Sequence, residues 1–380
     1  MQNHGSASGA RIVRRPHGGG MTVRAALSLR AGEPLVLEEV KLEDPQAGEV
    51  LIEMRAVGLC HSDLTSIDHP TTSLPAIYGH EGAGVVVRCG PGVEGVAPGD
   101  HVVTFCLPHC GRCRYCAAGR TNYCEDAQPG FMGSGGRFSY GGRHVSTFGG
   151  LGAFAKALVV KASQAVRVRR DIPFEQLCLL GCGGATGIGA AIRVADVRPG
   201  SRVAVLGLGG VGLNVVQGAR LKGAQTIIGV DLDSGREEVS RRLGMTHFID
   251  ASAVSSLADS LRDIAGGDLD DVFECVGSLA LVSEAIKSCD TYSGRVTLVG
   301  YMQPGDLTLR TTDLFFGRRV GGAFLGGLVG VRDLPRLADH LANGDLNFDA
   351  LISCRLPFER INEGFELMRR GGGVRTVVTF

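Results

Sequence analysis

Residues 202–212 read RVAVLGLGGVG and run directly into the helix-forming stretch LNVVQGARLKG. A β-branched strand, the turn Gly207-Leu-Gly209-Gly210-Val211-Gly212 and a helix make one strand–turn–helix unit. Glycines at these places give a tight turn, a close backbone approach to a pyrophosphate and close helix–strand packing. Asp231 closes the next apolar strand, TIIGVD, and is placed to accept hydrogen bonds from an adenosine ribose and to repel a 2′-phosphate, which favours NAD over NADP. After about residue 200 the rhythm repeats: TIIGVD, a charged helix over 234–243, then the strands DVFECVG and GRVTLVG. Such alternation predicts a doubly wound parallel sheet.

The first hundred residues are patterned differently. From Val23 to about Val103, short alternating apolar runs are separated by Gly, Pro and Asp, as in LVLEEV and EGAGVVVRCG. This predicts an antiparallel sheet or barrel. A Cys- and Gly-rich, loop-like segment spans 108–152. Near the end, a helix over 334–342 precedes VRTVVTF, a strand expected to return to the first domain. The first 20 residues are polar and glycine-rich, without the apolar run of a signal peptide, and read as a disordered leader. Charge is balanced, 39 Lys+Arg against 39 Asp+Glu, which argues against nucleic acid or an anionic membrane as the main partner. The longest uncharged stretches, 177–192 and 203–219, are interrupted by glycines and fall short of a membrane span of about 18 residues.

Twelve cysteines are too few for a disulfide scaffold in a chain of 380 residues, but they are clustered, which points to metal in a reducing compartment. Cys110, Cys113, Cys116 and Cys124 have the spacing C-x2-C-x2-C-x7-C, fit for a closed tetrahedral structural zinc site. An iron–sulfur cluster is the rival; the absent Pro and the longer final gap favour zinc. Three more residues stand out: Cys60 in GLCHSDL, His80 in YGHEGAG and Cys182 in LLGCGGATG. Two thiolates and one imidazole would form a zinc site with one corner open.

With GLCHSD, GHEGAG, the four-cysteine segment, GCG-x-x-TG, GLGGVG, VD and a final RT-x-x-TF in order, residues 22–380 resemble the zinc-dependent medium-chain alcohol dehydrogenases, in the liver-type, class III-like subgroup. The resemblance implies a GroES-like β-barrel catalytic domain over 22–183 and 325–380, with a Rossmann domain over 184–324 inserted. It implies two zinc ions per chain, NAD, a cytoplasmic homodimer (or tetramer) joined through residues near 319–327, and no nucleic-acid or membrane partner. Catalytic zinc would sit on Cys60, His80 and Cys182, with Asp63 orienting His80 and Glu81 assisting ligand exchange. Ser62 would hydrogen-bond the substrate alcohol, and Thr186 would pack near the nicotinamide with Val211 behind it. His61 and Arg375 would contact the pyrophosphate, and Arg236 the adenosine ribose.

Departures from the family are also legible. The proton relay of many relatives ends in a histidine where this chain has Thr65, which is no base near neutral pH. Cys106 replaces a bulky aromatic residue and Gly149 a leucine, enlarging the pocket toward bulky or aromatic primary alcohols, while Phe148, Tyr301 and Phe324 would line it. The expected activity is reversible hydride transfer between such an alcohol and NAD, giving the aldehyde. Alternatives are a thiol-adduct dehydrogenase of the formaldehyde type, against which Gln128 replaces the expected arginine, and an aldehyde dismutase with tightly held NAD. A non-enzymatic coenzyme-binding protein is set aside because all three catalytic ligands are present.

Overall fold

The structure, a computed structural model, describes residues 20–127, 136–302 and 304–380. The leader therefore lies outside the described residues up to residue 19, as does Gln128; the first strand, Met21–Leu27, begins immediately after.

The strand Glu49–Gly58 organises the catalytic portion. Apolar side chains fill most of its ten positions, so it is buried on both faces and needs partners on both edges. One edge pairs antiparallel with Glu81–Cys89 along nearly its whole length. The other is shared: its first half takes Ala157–Lys161, and its last three residues take the chain's final strand, Arg375–Thr379. His101–Thr104, Ala165–Arg167 and Ile352–Pro357 complete a seven-stranded sheet. The expected return of VRTVVTF to the first domain is thus realised.

The second sheet is parallel throughout, in the order His247–Asp250, Thr226–Asp231, Arg202–Leu206, Asp271–Glu274, Arg295–Leu298, Arg319–Gly322. Strand order reverses beside Arg202–Leu206, the switch point where such sheets bind ligands. The glycine turn follows that strand. Gly207 has φ +93°, and a Cβ on Gly212 would stand 1.8 Å from the Gly207 carbonyl oxygen, so neither position tolerates a side chain.

Two helices join the halves. Gly183–Gly189, which follows Cys182, crosses Gly210–Leu221, which follows the glycine turn. The crossing is close because Gly187 lies against the Val211 carbonyl and Gly218 against Ile188. One continuous apolar core runs from the barrel through both helices into one face of the parallel sheet. The uncharged stretches 177–192 and 203–219 are largely buried there. Among the described residues no single helix is long and apolar enough to cross a membrane.

Candidate active site and metal centres

Sheet register assembles the first cluster. Gly58 pairs with Glu81, which brings Leu59-Cys60 beyond one strand beside Gly79-His80 before the other. Gly58 must be glycine, since its Cβ would meet the Glu81 carboxylate at 2.4 Å. Cys182 arrives from the turn Cys178–Gly181, where Gly181 packs on the Thr104 carbonyl. Ligand atoms of Cys60, His80, Glu81 and Cys182 all lie within 4.8 Å of one another.

Asp63 holds this arrangement. Fully buried, it accepts the Cys60 N–H at 3.3 Å and the Gly79 N–H at 3.0 Å, tying the two ligand-bearing turns together. Its Oδ1 also lies 2.9 Å from His80 Nδ1, which fixes the tautomer with a hydrogen on Nδ1 and leaves Nε2 as the acceptor facing the cluster. Burial opposes a charge on His80, but the Asp63 carboxylate outweighs it and raises the imidazole well above its usual range. A hydrogen bond from Cys182 holds the Cys60 thiol low, while Cys182 is pushed up by that same bond and by burial. Ser62 Oγ lies 3.2 Å from Cys60 Sγ and 3.4 Å from His80 Nε2, at the mouth of the cluster.

Glu81 differs from the other three donors. One carboxylate oxygen is paired with the buried guanidinium of Arg375 and the other accepts the Gly183 N–H at 3.4 Å. Burial pushes its carboxyl up to about 7, countered only in part by Arg375. Two thiolates and an imidazole remain as uncommitted donors, a soft N/S set that fits zinc with one corner left for an oxygen ligand.

The four cysteines of the expected structural site also converge, with every sulfur within 4.8 Å of the others. Backbone N–H groups of Cys110 and Cys113 point at sulfur, at 3.3 Å in each case, as around thiolates. Backbone hydrogen bonds, led by that from Cys116, bring the Cys113 thiol down to about 6, whereas burial pushes Cys116 up to about 12. The set is closed, with four sulfurs and no room for chemistry.

At the coenzyme cleft, Asp231 accepts the Leu208 N–H at 2.7 Å and the Asp233 N–H at 3.0 Å. It thereby locks the glycine turn to the end of the neighbouring strand. Gly209 is open, Gly210 touches the Arg375 side chain, and Val211 lies in the helix crossing. Arg236 is paired with Asp233 at 3.1 Å rather than with Asp231. His61 is exposed at the first position of its helix, and Thr186 is buried in the helix after Cys182.

The proposed lining residues separate into two groups. Cys106 is buried against Gly149, whose Cβ would stand 3.2 Å from its own, and the Phe148 ring stacks on His80 at 4.8 Å. Burial pushes the Cys106 thiol up to about 11, so it is a neutral wall rather than a nucleophile. Tyr301 is instead 81% exposed, and Phe324 is 39% exposed and packs toward Tyr123 of the four-cysteine segment. The Glu81–Arg375 pair escaped the sequence reading as a pair, because 294 residues separate the partners.

A GroES-like barrel joined to a nucleotide-binding sheet, with one open and one closed cysteine-rich centre, defines a zinc-dependent medium-chain dehydrogenase. Residues 46–170 match the alcohol dehydrogenase GroES-like domain, and residues 210–343 the zinc-binding dehydrogenase domain. The chain is 41% identical to the class-3 alcohol dehydrogenase of Cereibacter sphaeroides, over 95% of this chain and all of the relative. It is 38% identical to the S-(hydroxymethyl)glutathione dehydrogenase of Paracoccus denitrificans, again over 95% of this chain and all of the relative. Among solved structures, the benzyl alcohol dehydrogenase of Acinetobacter calcoaceticus superposes with a TM-score of 0.88 at 30% identity, covering 94% of this chain and 99% of that one. The chain belongs to the zinc-dependent medium-chain alcohol dehydrogenase family, in its class III-like branch, and is an oxidoreductase that uses zinc and NAD.

Proposed function

We propose that the chain oxidises a bulky primary alcohol with NAD, and that the first candidate is the S-hydroxymethyl adduct of a small thiol, an alcohol carried on a sulfur-linked body. The names of its class-3 relatives support this reading over a simple aromatic alcohol. An aromatic alcohol is the second reading, supported by the small side chains at Cys106 and Gly149 and by the benzyl alcohol dehydrogenase neighbour. In either case R–CH2OH and NAD+ give R–CHO, NADH and a proton; for the adduct the product is a thioester, RS–CHO.

The observation that carries the proposal is the open donor set of Cys60, His80 and Cys182 beside Ser62. Zinc held there supplies Lewis acidity that lowers the pKa of the substrate hydroxyl toward neutrality. Ser62 takes the hydroxyl proton and passes it toward the ribose side and water, since Thr65 cannot continue a relay. Asp63 keeps His80 in one tautomer, and Thr186 supports the face on which the nicotinamide rests. Phe148 closes the wall against His80. NADH formation should be measured with formaldehyde plus glutathione, with formaldehyde plus other thiols, and with benzylic and short aliphatic alcohols. A kcat/KM highest for ethanol would overturn the bulky-substrate reading.

Asp231 supports NAD over NADP, because its carboxylate stands at the strand end where a 2′-phosphate would come. Asp231→Gly removes a charged acceptor from two backbone N–H groups as well as from the ribose. At about 1.5–3 kcal/mol for a charged hydrogen bond, KM for NAD should rise by roughly tenfold to a hundredfold, with kcat little changed. Unaltered NAD kinetics would remove Asp231 from the role.

Cys106→Phe tests the pocket. The aromatic side chain should lower kcat/KM on bulky alcohols by about tenfold or more and improve it on ethanol. If Cys106 is instead part of the packed core, overfilling its site costs about 1–3 kcal/mol, and the melting temperature falls with no change in selectivity.

The strand Arg319–Gly322 leaves one edge of the parallel sheet open, and Leu314, Phe315 and Phe316 are exposed just before it. An open edge flanked by aromatic side chains supports pairing of two copies there. A monomeric mass by sedimentation at micromolar concentration would refute it.

A further inference from the structure

We propose that the four-cysteine segment is not only a fold staple but a brace that positions the active-site helix through a strained turn, with Asn122 and Arg193 as positioning residues. The inference rests on the active-site reading above, since the helix concerned follows Cys182 and carries Thr186.

The turn is Phe324–Gly327. Leu325, Gly326 and Gly327 are all left-handed, at φ +47°, +63° and +64°. For a leucine this conformation is costly and persists only when the surroundings over-determine it. On one side the turn presses on the helix Gly183–Gly189. A Cβ at Gly326 would come within 2.2 Å of the Ala185 carbonyl, 2.8 Å of Gly189 Cα and 2.9 Å of the Thr186 carbonyl. The contact is backbone to backbone, so movement of the turn has no flexible side chain to absorb it.

On its other side the turn is held by the cysteine segment. Asn122, buried between Cys116 and Cys124, donates its amide to the Phe324 carbonyl at 3.0 Å, and the Tyr123 ring lies 6.3 Å from that of Phe324. The Arg120 guanidinium sits over Tyr123 at 4.9 Å and holds its ring in place. Arg193, in the π-helical turn Ala190–Val194 that continues the active-site helix, donates to the Gly327 carbonyl at 2.8 Å and to the Gly119 carbonyl at 3.4 Å. Sulfur cluster, turn and helix are therefore linked by a closed ring of hydrogen bonds with no side chain of the chemical site in it. Loosening the ring lets Leu325 relax and the helix shift. A shift of about 1 Å in a positioning element is enough to lower turnover by on the order of a hundredfold without loss of substrate binding.

Asn122→Ala and Arg193→Met, made in the full-length zinc-loaded enzyme, test the brace. Neither residue is a ligand, and Arg193 is exposed, so its loss leaves no buried hole. Both variants should keep two zinc ions per chain, keep KM for NAD within about twofold, and lose kcat by about tenfold. Amide hydrogen exchange over 183–189 should speed up by at least a comparable factor in both. Wild-type kcat together with unchanged exchange over 183–189 would overturn the brace. So would a kcat loss that tracks loss of one zinc ion, which reduces the segment to a staple. A loss of activity on every substrate in both variants and the parent would instead count against the active-site reading, since the exchange measurement does not depend on turnover.

Discussion

Cys182→Ser should yield a folded protein that keeps the zinc of the four-cysteine segment, loses its second zinc, and turns over alcohol at least about a thousandfold more slowly. The magnitude follows from what the ion supplies: several kcal/mol of charge stabilisation, at about 1.36 kcal/mol per factor of ten. A serine hydroxyl is a hard, protonated oxygen near neutral pH and cannot replace a thiolate in a soft N/S set. Among the described residues the other carboxylate donor grouped with these ligands is Glu81, and its oxygens are engaged by Arg375 and the Gly183 N–H. Rescue from that side would require breaking a buried ion pair, so the site should empty rather than reorganise. Folding should survive, because Cys182 is only partly buried and the turn that delivers it is held by Gly181 against the Thr104 carbonyl. Elemental analysis, a melting curve and steady-state rates on one preparation decide the matter. Full activity with one zinc ion per chain would discard the assigned ligand set.

The nucleotide-binding fold and the four-cysteine site are written in local spacing, whereas Cys60, His80 and Cys182 lie far apart in the chain and were joined as a ligand set by the resemblance to the family. G-x-G-x-x-G between a strand and a helix carries its own geometry, and C-x2-C-x2-C-x7-C closes on itself within 15 residues. The expectation that Asp63 orients His80 came from the family resemblance, not from spacing, and Asp63 Oδ1 does lie 2.9 Å from His80 Nδ1. What was not legible depends on sheet register. Glu81 and Arg375 meet because Gly58 pairs with Glu81 on one edge and with Val377 on the other, and no local pattern states that. Tyr301 was expected near the substrate only by correspondence with pocket-lining positions of the family; it proves exposed, on a turn pinned by backbone contact between Gly277 and Tyr301. Phe324 faces the cysteine segment because the chain turns left-handed directly after it. Neither a turn's handedness nor a cross-sheet pairing has a signature in composition or periodicity.

Arg375→Met should be the most destabilising single change in the catalytic portion, at about 3–5 kcal/mol, and should weaken NAD binding as well. The side chain is 8% exposed and its one carboxylate partner is fully buried. Removing one member of such a pair leaves an uncompensated charge in a low-dielectric interior, which costs far more than the intact pair contributes. The cost is aggravated here because Glu81 stands beside the Cys60 and Cys182 sulfurs, whose charges also act on the guanidinium. Burial would take charge from Arg375, yet the Glu81 and Cys60 charges outweigh it and raise the group further above its usual range. Methionine keeps the length and apolar stem that pack on Gly210, which separates loss of charge from loss of volume. A double-mutant cycle with Glu81→Gln isolates the pair. The double variant should regain most of the stability lost in Arg375→Met, because two neutral groups replace one orphaned charge. It should not regain NAD affinity, because the glycine turn has then lost the cation that reaches it. If denaturation midpoints show the double variant no more stable than Arg375→Met, the charge pair is not what holds this region together. If NAD affinity returns with stability, Arg375 serves the fold alone and the pyrophosphate is held by other groups.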